Sequence, residues 1–315
     1  KDLRVVKIFS SPLVKKSTLN LIFSFLKILF SIFKLLIYLL FNRPNLIFGM
    51  GGYSSFPICL AASILRIKFF IYENNLTIGK ANRYLLPFSS IVFVSYKDLE
   101  GIPSKFRKKV IGIGNIIREE IINFDSKNIE DYSFENLKIL VLGGSQAAKT
   151  FAEMLPSIFK KIKKLNIPVK IYQQCQKEQT ETLQNFYKEA NIDSEIFNFT
   201  TNIKEYYTKS NLVITRSGAS VLGELINVNI PFICIPLPSS ADDHQTKNAI
   251  FYEKKGLGYL VKEKDINNDL FNIINSIYEN NSLVKKILNN QSQYSDKNVF
   301  NNIKIHIEEL LNEKN

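Results

Sequence analysis

The sequence predicts an α/β protein made of two doubly wound, Rossmann-like domains in tandem. Three observations predict it. From residue 43 onward short apolar runs alternate with helical stretches, the order that lays parallel strands under crossover helices. Glycine-rich turns stand between strand and helix at 49–52 and 143–144, and a Gly218 turn repeats the arrangement. The 315 residues are two domains' worth of chain, and 45% hydrophobic content is ample for two cores, which excludes collagen-like, disordered and disulfide-scaffold classes.

The first element is also the most apolar. Residues 18–41 form a helix about 36 Å long at ~1.5 Å per residue, long enough to cross a bilayer. Its polar residues Asn20, Ser24, Lys27, Ser31, Lys34 and Tyr38 recur with 4-3-4-3-4 spacing and so line one narrow face. Two lysines on that stripe would each cost about 2.5–3.5 kcal/mol at a membrane centre. The segment therefore reads as an amphipathic helix, partly packed on its own domain and partly available to lipid. Lys15, Lys16 and Arg43 flank it and suit an anionic leaflet. A buried core helix and a transmembrane span are the alternatives.

Strands at 45–48, 69–72 and 91–94 then alternate with helices at 57–65 and 81–86, giving a first domain over residues 1–118. Residues 119–136 are polar, acidic and without apolar period, and read as an interdomain linker. A second domain over 137–295 follows, with strands at 138–142, 169–173, 195–199, 212–215 and 232–236 and helices at 150–165, 177–190, 203–210, 220–228 and 245–255. The tail 296–315 is helical and expected to pack back on the first domain. Tandem domains of this kind hold a ligand in a cleft, at the carboxyl ends of their strands.

The net charge of +12 is not evenly spread: residues 1–110 hold 17 Lys+Arg against 4 Asp+Glu, and the rest hold 24 against 25. A polyanionic partner is implied for the first domain, as an anionic membrane surface or a phosphorylated substrate. Nucleic acid is excluded as partner because the basic third is interleaved with aliphatics rather than aromatic platforms. Cys59, Cys175 and Cys234 are an odd, scattered set without a CxxC pair, so a reducing compartment fits better than a disulfide framework or a zinc site. Only His244 and His306 are available and no Asp-x-Asp motif occurs, so neither a metal nor another cofactor is expected. The chain opens at Lys1 without a signal-peptide pattern, and an N-terminal piece is expected to be missing.

Several turns have the residues for phosphate and sugar chemistry. Residues 140–148, Leu-Val-Leu-Gly-Gly-Ser-Gln-Ala-Ala, turn from a strand into a helix whose first N–H groups, with the Ser145 hydroxyl, suit an anion; a purely structural turn is the alternative. Residues 213–220 repeat the arrangement, and Glu224 lies one helical turn past Ser220, where a carboxylate can accept from a ribose diol or be simply a solvated charge. Two such helix starts in one sheet favour a sugar nucleotide diphosphate. Gln245 and Asn248 share a helix face that suits sugar hydroxyls, and His244 is either a base or a helix cap. Arg118 is a candidate diphosphate clamp, since a guanidinium matches phosphate oxygens bidentately, or an exposed surface arginine.

Taken together these residues resemble the MurG family of glycosyltransferases. The matching elements are Gly49-Met50-Gly51-Gly52-Tyr53, Glu73-Asn74-Asn75, Gly114-Asn115 with Arg118, Gly143-Gly144-Ser145-Gln146, Arg216-Ser217-Gly218-Ala219 with Glu224, and Asp243-His244-Gln245 with Asn248-Ala249, in family order along the chain. The resemblance implies a GT-B fold, two Rossmann-like domains facing a cleft. It implies inverting transfer of N-acetylglucosamine from UDP-N-acetylglucosamine to the C4 hydroxyl of lipid I, the undecaprenyl-pyrophosphoryl muramoyl-pentapeptide, to give lipid II of peptidoglycan. Asn75, Arg118, Ser145, Arg216, Ala219, Glu224, Gln245 and Asn248 would then serve UDP-N-acetylglucosamine, with Glu224 on the ribose and Gln245 and Asn248 on the sugar. Tyr53 and Glu73, with Asn75, would line the acceptor side. The helix at 18–41 falls where the family docks peripherally on the cytoplasmic face of the bacterial inner membrane.

The chain departs from the family pattern in places. The family opens with a Gly-Gly-Thr-Gly-Gly-His loop whose His is the usual candidate base, and no such loop precedes the helix here, so no catalytic residue is assigned. Tyr72-Glu73-Asn74-Asn75 stands for His-Glu-Gln-Asn, Ser145-Gln146-Ala147 for Ser-Gln-Gly, and Ser220-Val221-Leu222-Gly223 for Leu-Thr-Val-Ser. A related enzyme that glycosylates diacylglycerol and a non-catalytic sugar-nucleotide-binding or membrane-scaffold protein are the alternatives.

Overall fold

A computed structural model describes residues 5–8, 18–126, 128–294 and 296–312. The chain divides into two compact units, Lys1–Asn115 with Asn298–Asn315, and Ile116–Lys297.

In the first unit, helix α1 (Thr18–Phe41) precedes strand β1 (Ile47–Gly49), helix α2 (Gly52–Ile64), β2 (Phe69–Glu73), α3 (Lys80–Leu85), β3 (Ile91–Val94) and β4 (Val110–Gly112). The strands form one parallel sheet in the order β1-β2-β3-β4. Because each strand lies beside its predecessor, right-handed crossovers put α2 and α3 on the same face. That face packs Cys59, Ala61 and Ala62 of α2 and Leu85 of α3 on Phe69, Ile71, Val92 and Val94 of the sheet. On the sheet's other side, Phe70 packs tilted against Phe48 and edge-on against Phe93, with centroids 4.3 and 5.0 Å apart, and His306, in the C-terminal helix Val299–Asn312, lies 5.9 Å from the Phe93 ring. Lys68 Nζ donates to Leu310 O at 3.1 Å in the same helix.

α1 lays Ile28, Ile32, Leu35 and Leu39 into this core, a spacing of three to four residues. Leu36 and Tyr38 pack partly against the same core, but other apolar side chains of the helix are bare: Phe23, Phe25, Phe30, Phe33 and Leu40 are more than half exposed and Phe41 is 85% exposed. The polar stripe does not lie as one solvent face. Lys27 and Lys34 are exposed, but Ser31 is 2% exposed, since its position falls inside the seam of buried Ile28, Ile32 and Leu35. α2 begins at Gly52, five residues earlier than periodicity suggests. Gly51 and Gly52 hold φ of 83° and 72°, and a Cβ on Gly51 would stand 2.9 Å from the Tyr72 carbonyl, so only glycine fits that turn.

The second unit begins with the short helix α4 (Glu119–Ile122). It continues through β5 (Leu137–Leu142), α5 (Gly144–Lys164), β6 (Val169–Gln174), α6 (Thr180–Glu189), β7 (Asp193–Phe197) and α7 (Ile203–Lys209). The remaining elements are β8 (Leu212–Thr215), α8 (Ala219–Asn227), β9 (Phe232–Cys234), α9 (His244–Lys254), β10 (Tyr259–Leu260), α10 (Phe271–Glu279) and α11 (Asn281–Gln291). All six strands are parallel, in the order β10-β9-β8-β5-β6-β7. The chain winds outward from β5 to β7, then returns to lay β8 on the other side of β5. This reversal makes a topological switch point between β5 and β8, where open α/β sheets hold ligands. Ile139, Val141, Ile171, Ile214 and Ile233 of the sheet meet Phe151, Leu155 and Phe159 of α5 in a closed core.

Residues 119–136 are not the free linker their polarity suggested. Ile121, Ile122, Tyr132 and Phe134 are buried, and the two aromatics join the core of the second unit. Their apolar side chains are too sparse to show a period, yet each reaches a packed surface. β7 covers 193–197 rather than 195–199, paired from Lys170↔Asp193 to Gln174↔Phe197, because an edge strand tolerates the polar Asp193 and Glu195 on its open side.

Candidate active site

Leu142 and Thr215 are paired across the switch point, so the exits of β5 and β8 lie side by side. From these exits the chain enters α5 at Gly144 and α8 at Ala219, and both helices present their N-terminal N–H groups at the carboxyl edge of the sheet. Gly144 has φ of 61° with nothing near its missing Cβ, and its N–H donates to Gln174 Oε1 at 3.1 Å. Ser145 sits in the first turn of α5; its side chain lies outside the described residues. Ala219 is the first residue of α8, behind the N-cap Gly218, and contributes backbone only.

Glu224 is the charged centre of this edge. It stands on α8, its side chain 13% exposed. Arg118, which belongs to the second unit, meets it in a two-pronged contact: Nη2 donates to Oε1 and Oε2 at 2.9 Å each, and Nε donates to Oε1 at 3.2 Å. Tyr207 of α7 donates its hydroxyl to Oε2 at 2.9 Å. Burial, and then the Glu224 charge, hold the Tyr207 phenol well above its ordinary range, so it remains a donor. Sequence reading placed Arg118 and Glu224 at the site separately and missed Tyr207, whose helical period marks it only as core. The available signal was that a buried tyrosine hydroxyl needs a partner.

Arg216 sits behind the site rather than at its surface. It is 6% exposed, donates from Nη1 to the carbonyls of Ile235 (3.1 Å) and Pro236 (3.2 Å), pairs with Glu263 through Nη2, and lies over the Phe151 ring at 4.6 Å. It ties the exits of β8 and β9 together and aims the loop 237–243. That loop holds Asp242 and Asp243 in succession at φ of 52° and 55°, a left-handed pair that persists only when its surroundings impose it. Gln245 Oε1 accepts from Leu237 N at 3.0 Å, and buried Asn248 donates to Ser217 O at 3.1 Å. Both amides of α9 thus fasten the loops on either side of it. His244 Nδ1 lies 2.5 Å from Ala241 O, a local loop contact.

In the first unit, Glu73 ends β2 and is 5% exposed. Its Oε1 accepts from Asn75 N (3.2 Å) and Asn75 Nδ2 (3.0 Å), and its Oε2 accepts from Gly79 N and Asn82 Nδ2, both at 2.9 Å. Expected on the acceptor side, Glu73 is instead an internal brace that holds the Asn75 loop, with no oxygen turned outward. Tyr53, in the first turn of α2, is 55% exposed.

Among the described residues no group of three or more His, Cys, Asp or Glu could hold a metal ion. The three cysteines are free and buried, and burial pushes the Cys59 thiol up to about 12, which removes it as a nucleophile at neutral pH.

Residues 138–304 match the glycosyltransferase family 28 C-terminal domain, and residues 1–94 match the N-terminal domain of the same family. The chain is 35% identical over 318 residues to the UDP-N-acetylglucosamine–N-acetylmuramyl-(pentapeptide) pyrophosphoryl-undecaprenol N-acetylglucosamine transferase of Pelagibacter ubique, covering 99% of this chain and 87% of that protein. The transferase of the same name from Rickettsia bellii is 34% identical, over 83% of this chain and 73% of its own. The crystal structure of Acinetobacter baumannii MurG superposes with a TM-score of 0.74 at 25% identity, over 95% of this chain and 83% of that one. Sheet order, the placement of the glycine turns and these likenesses agree, and the chain belongs to glycosyltransferase family 28, in its MurG branch.

Proposed function

We propose that the protein transfers N-acetylglucosamine from UDP-N-acetylglucosamine to the C4 hydroxyl of lipid I, with inversion at the anomeric carbon, to give lipid II. The observation that carries this reading is the second unit's switch point. Two helices, α5 and α8, start there from adjacent strand exits, and in the second turn of α8 a mostly buried carboxylate, Glu224, meets the Arg118 guanidinium. The arrangement suits a ribose diol on the carboxylate and a diphosphate on the guanidinium and amides. When the bond from sugar to phosphate breaks, negative charge grows on UDP, and preorganised N–H dipoles and Arg118 stabilise it without rearranging solvent. Gln245, at the start of α9, is the proposed hydroxyl partner of the sugar, with Ser145 and Ala219 at its diphosphate; Asn248, expected beside Gln245, is 1% exposed and ties α9 to the Ser217 loop instead. The base that accepts the C4 hydroxyl proton is assigned to none of the described residues.

In the first unit, Asn75, presented by the Glu73 brace, and exposed Tyr53 are the proposed acceptor contacts. The bare apolar arc of α1 and the excess of basic residues over 1–110 support a peripheral seat on the cytoplasmic face of the membrane, which brings the unit to its lipid-linked acceptor. Only part of α1 is buried, so its apolar surface is available to lipid without removing the helix from its own core.

The test is UDP release by the whole gene product from UDP-N-acetylglucosamine, with and without lipid I or a short-chain analogue. Release that depends on the acceptor supports the reading; binding of UDP-N-acetylglucosamine with no acceptor-dependent release overturns it in favour of a sugar-nucleotide-binding protein.

A further inference from the structure

We infer that Arg118 and the donor's ribose compete for Glu224, so that ribose binding hands the Arg118 guanidinium to the diphosphate, with Tyr207 as the positioning residue that keeps the carboxylate in place through the exchange. This rests on the reading of Glu224 as the ribose acceptor and adds what occupies that carboxylate beforehand.

A carboxylate offers about four lone-pair sites on its two oxygens. At Glu224 all four are taken: Oε1 accepts from Arg118 Nε and Nη2, and Oε2 accepts from Arg118 Nη2 and Tyr207 Oη. No capacity remains for a ribose diol while Arg118 stays. Of the two partners only Arg118 can leave cheaply. Its side chain is 45% exposed and its second ion pair, Nη1 to Glu120 Oε1 at 3.5 Å, is a loose surface contact. Tyr207 is 2% exposed within the unit, and its hydroxyl would lose its hydrogen bond without water to replace it.

The exchange couples the two halves of the ligand. Two neutral ribose hydroxyls are a poorer match to a mostly buried carboxylate than a guanidinium, so a bare nucleoside must displace Arg118 at a net cost. A nucleoside diphosphate offers the displaced cation two phosphates at the same moment. Diphosphate and ribose therefore bind with positive coupling, and the site discriminates against uridine by more than the missing phosphate contacts explain.

The test measures binding of uridine, UDP and 2′-deoxy-UDP by competition against labelled UDP-N-acetylglucosamine, in the wild type, R118M, Y207F and E224Q. Removing the occupant of Glu224 is expected to raise uridine affinity in R118M by about fivefold or more while UDP affinity falls by about tenfold or more. In Y207F the preference for UDP over 2′-deoxy-UDP is expected to fall, a ratio that a merely structural tyrosine would leave unchanged. Uridine affinity in R118M equal to or below that of the wild type, including no uridine binding by either protein, overturns the exchange; an unchanged 2′-hydroxyl preference in Y207F overturns the role of Tyr207. E224Q separates this failure from failure of the underlying reading: if its preference for UDP over 2′-deoxy-UDP equals that of the wild type, Glu224 does not hold the ribose at all.

Discussion

Replacing Glu73 by glutamine changes one oxygen to an amide in a place where every neighbour is a donor. Oε1 faces the Asn75 N–H and amide, and Oε2 faces the Gly79 N–H and the Asn82 amide. Whichever way the new carboxamide turns, its NH2 meets a backbone N–H that cannot flip, either that of Asn75 or that of Gly79. Leaving that buried donor unsatisfied costs about 1–3 kcal/mol. The bonds left on the carbonyl side lose their charge assistance, about 1 kcal/mol each. Asn82 cannot compensate freely, because its Nδ2 also donates to Tyr72 O at 3.0 Å. The sum is about 3–5 kcal/mol against a whole-domain stability of about 5–15 kcal/mol. Calorimetry should show the transition of the first unit falling by about 10–20 °C, at about 4 °C per kcal/mol. At a temperature where the variant is folded, KM for the acceptor should rise while KM for UDP-N-acetylglucosamine holds. A midpoint within ~3 °C of the wild type would refute the brace assigned to Glu73.

Further consequences are open to measurement. Glu224→Gln removes the charged ribose acceptor but also frees Arg118 in the empty site, so KM for UDP-N-acetylglucosamine should rise by about 10-fold or less, under the ~1.5–3 kcal/mol of an uncontested charge-assisted bond, with kcat little changed; a kcat loss at constant KM would contradict the ribose role. Glu263→Ala strands the buried Arg216 guanidinium and should destabilise the second unit by about 3 kcal/mol, read as a denaturant midpoint shift at constant slope. Phe33→Glu on the bare arc of α1 should abolish flotation with anionic vesicles and leave stability within ~0.5 kcal/mol, whereas Leu39→Ala, at a 2% exposed site, should cost about 2–5 kcal/mol. Cys59 is raised from 9.0 to about 12 and Tyr206 from 10.0 to about 12, chiefly by burial, so the unfolded chain ionises first. Their contribution is whole below about pH 9 and is lost as pH rises from there towards 12, so a denaturation midpoint that increases between pH 9 and 11 would contradict it.

The two parallel sheets were legible because their strands are continuous β-branched and aliphatic runs bounded by glycine turns, as at Leu137–Leu142 and Leu212–Thr215. β4 and β10 were not, since three residues and two residues leave no period to read. The start of α2 was hidden because helical periodicity begins only after Ser55, whereas the two left-handed glycines set its first turn. In the second unit, Arg118 and Glu224 were recognisable by charge type and place, but their mutual contact was not, because 105 intervening residues separate them along the chain. Arg216 and Glu73 were placed at the ligand by the family resemblance, and the structure turns both inward. A charge next to a glycine turn looks the same in sequence whether it faces a ligand or satisfies the carbonyls and amides that shape the turn. Ser31 shows the same limit on a helix: the period gives the polar stripe, and only the neighbouring α2 decides which part of it is buried.

The most direct measurement is the structure of the product. With the whole gene product, UDP-N-acetylglucosamine and a short-chain lipid I analogue, mass spectrometry and NMR should find one added N-acetylglucosamine, joined in β configuration to the C4 oxygen of the muramoyl sugar, with UDP released in equal amount. Recovery of unmodified acceptor, or consumption of UDP-N-acetylglucosamine at the same rate with no acceptor present, would contradict the account.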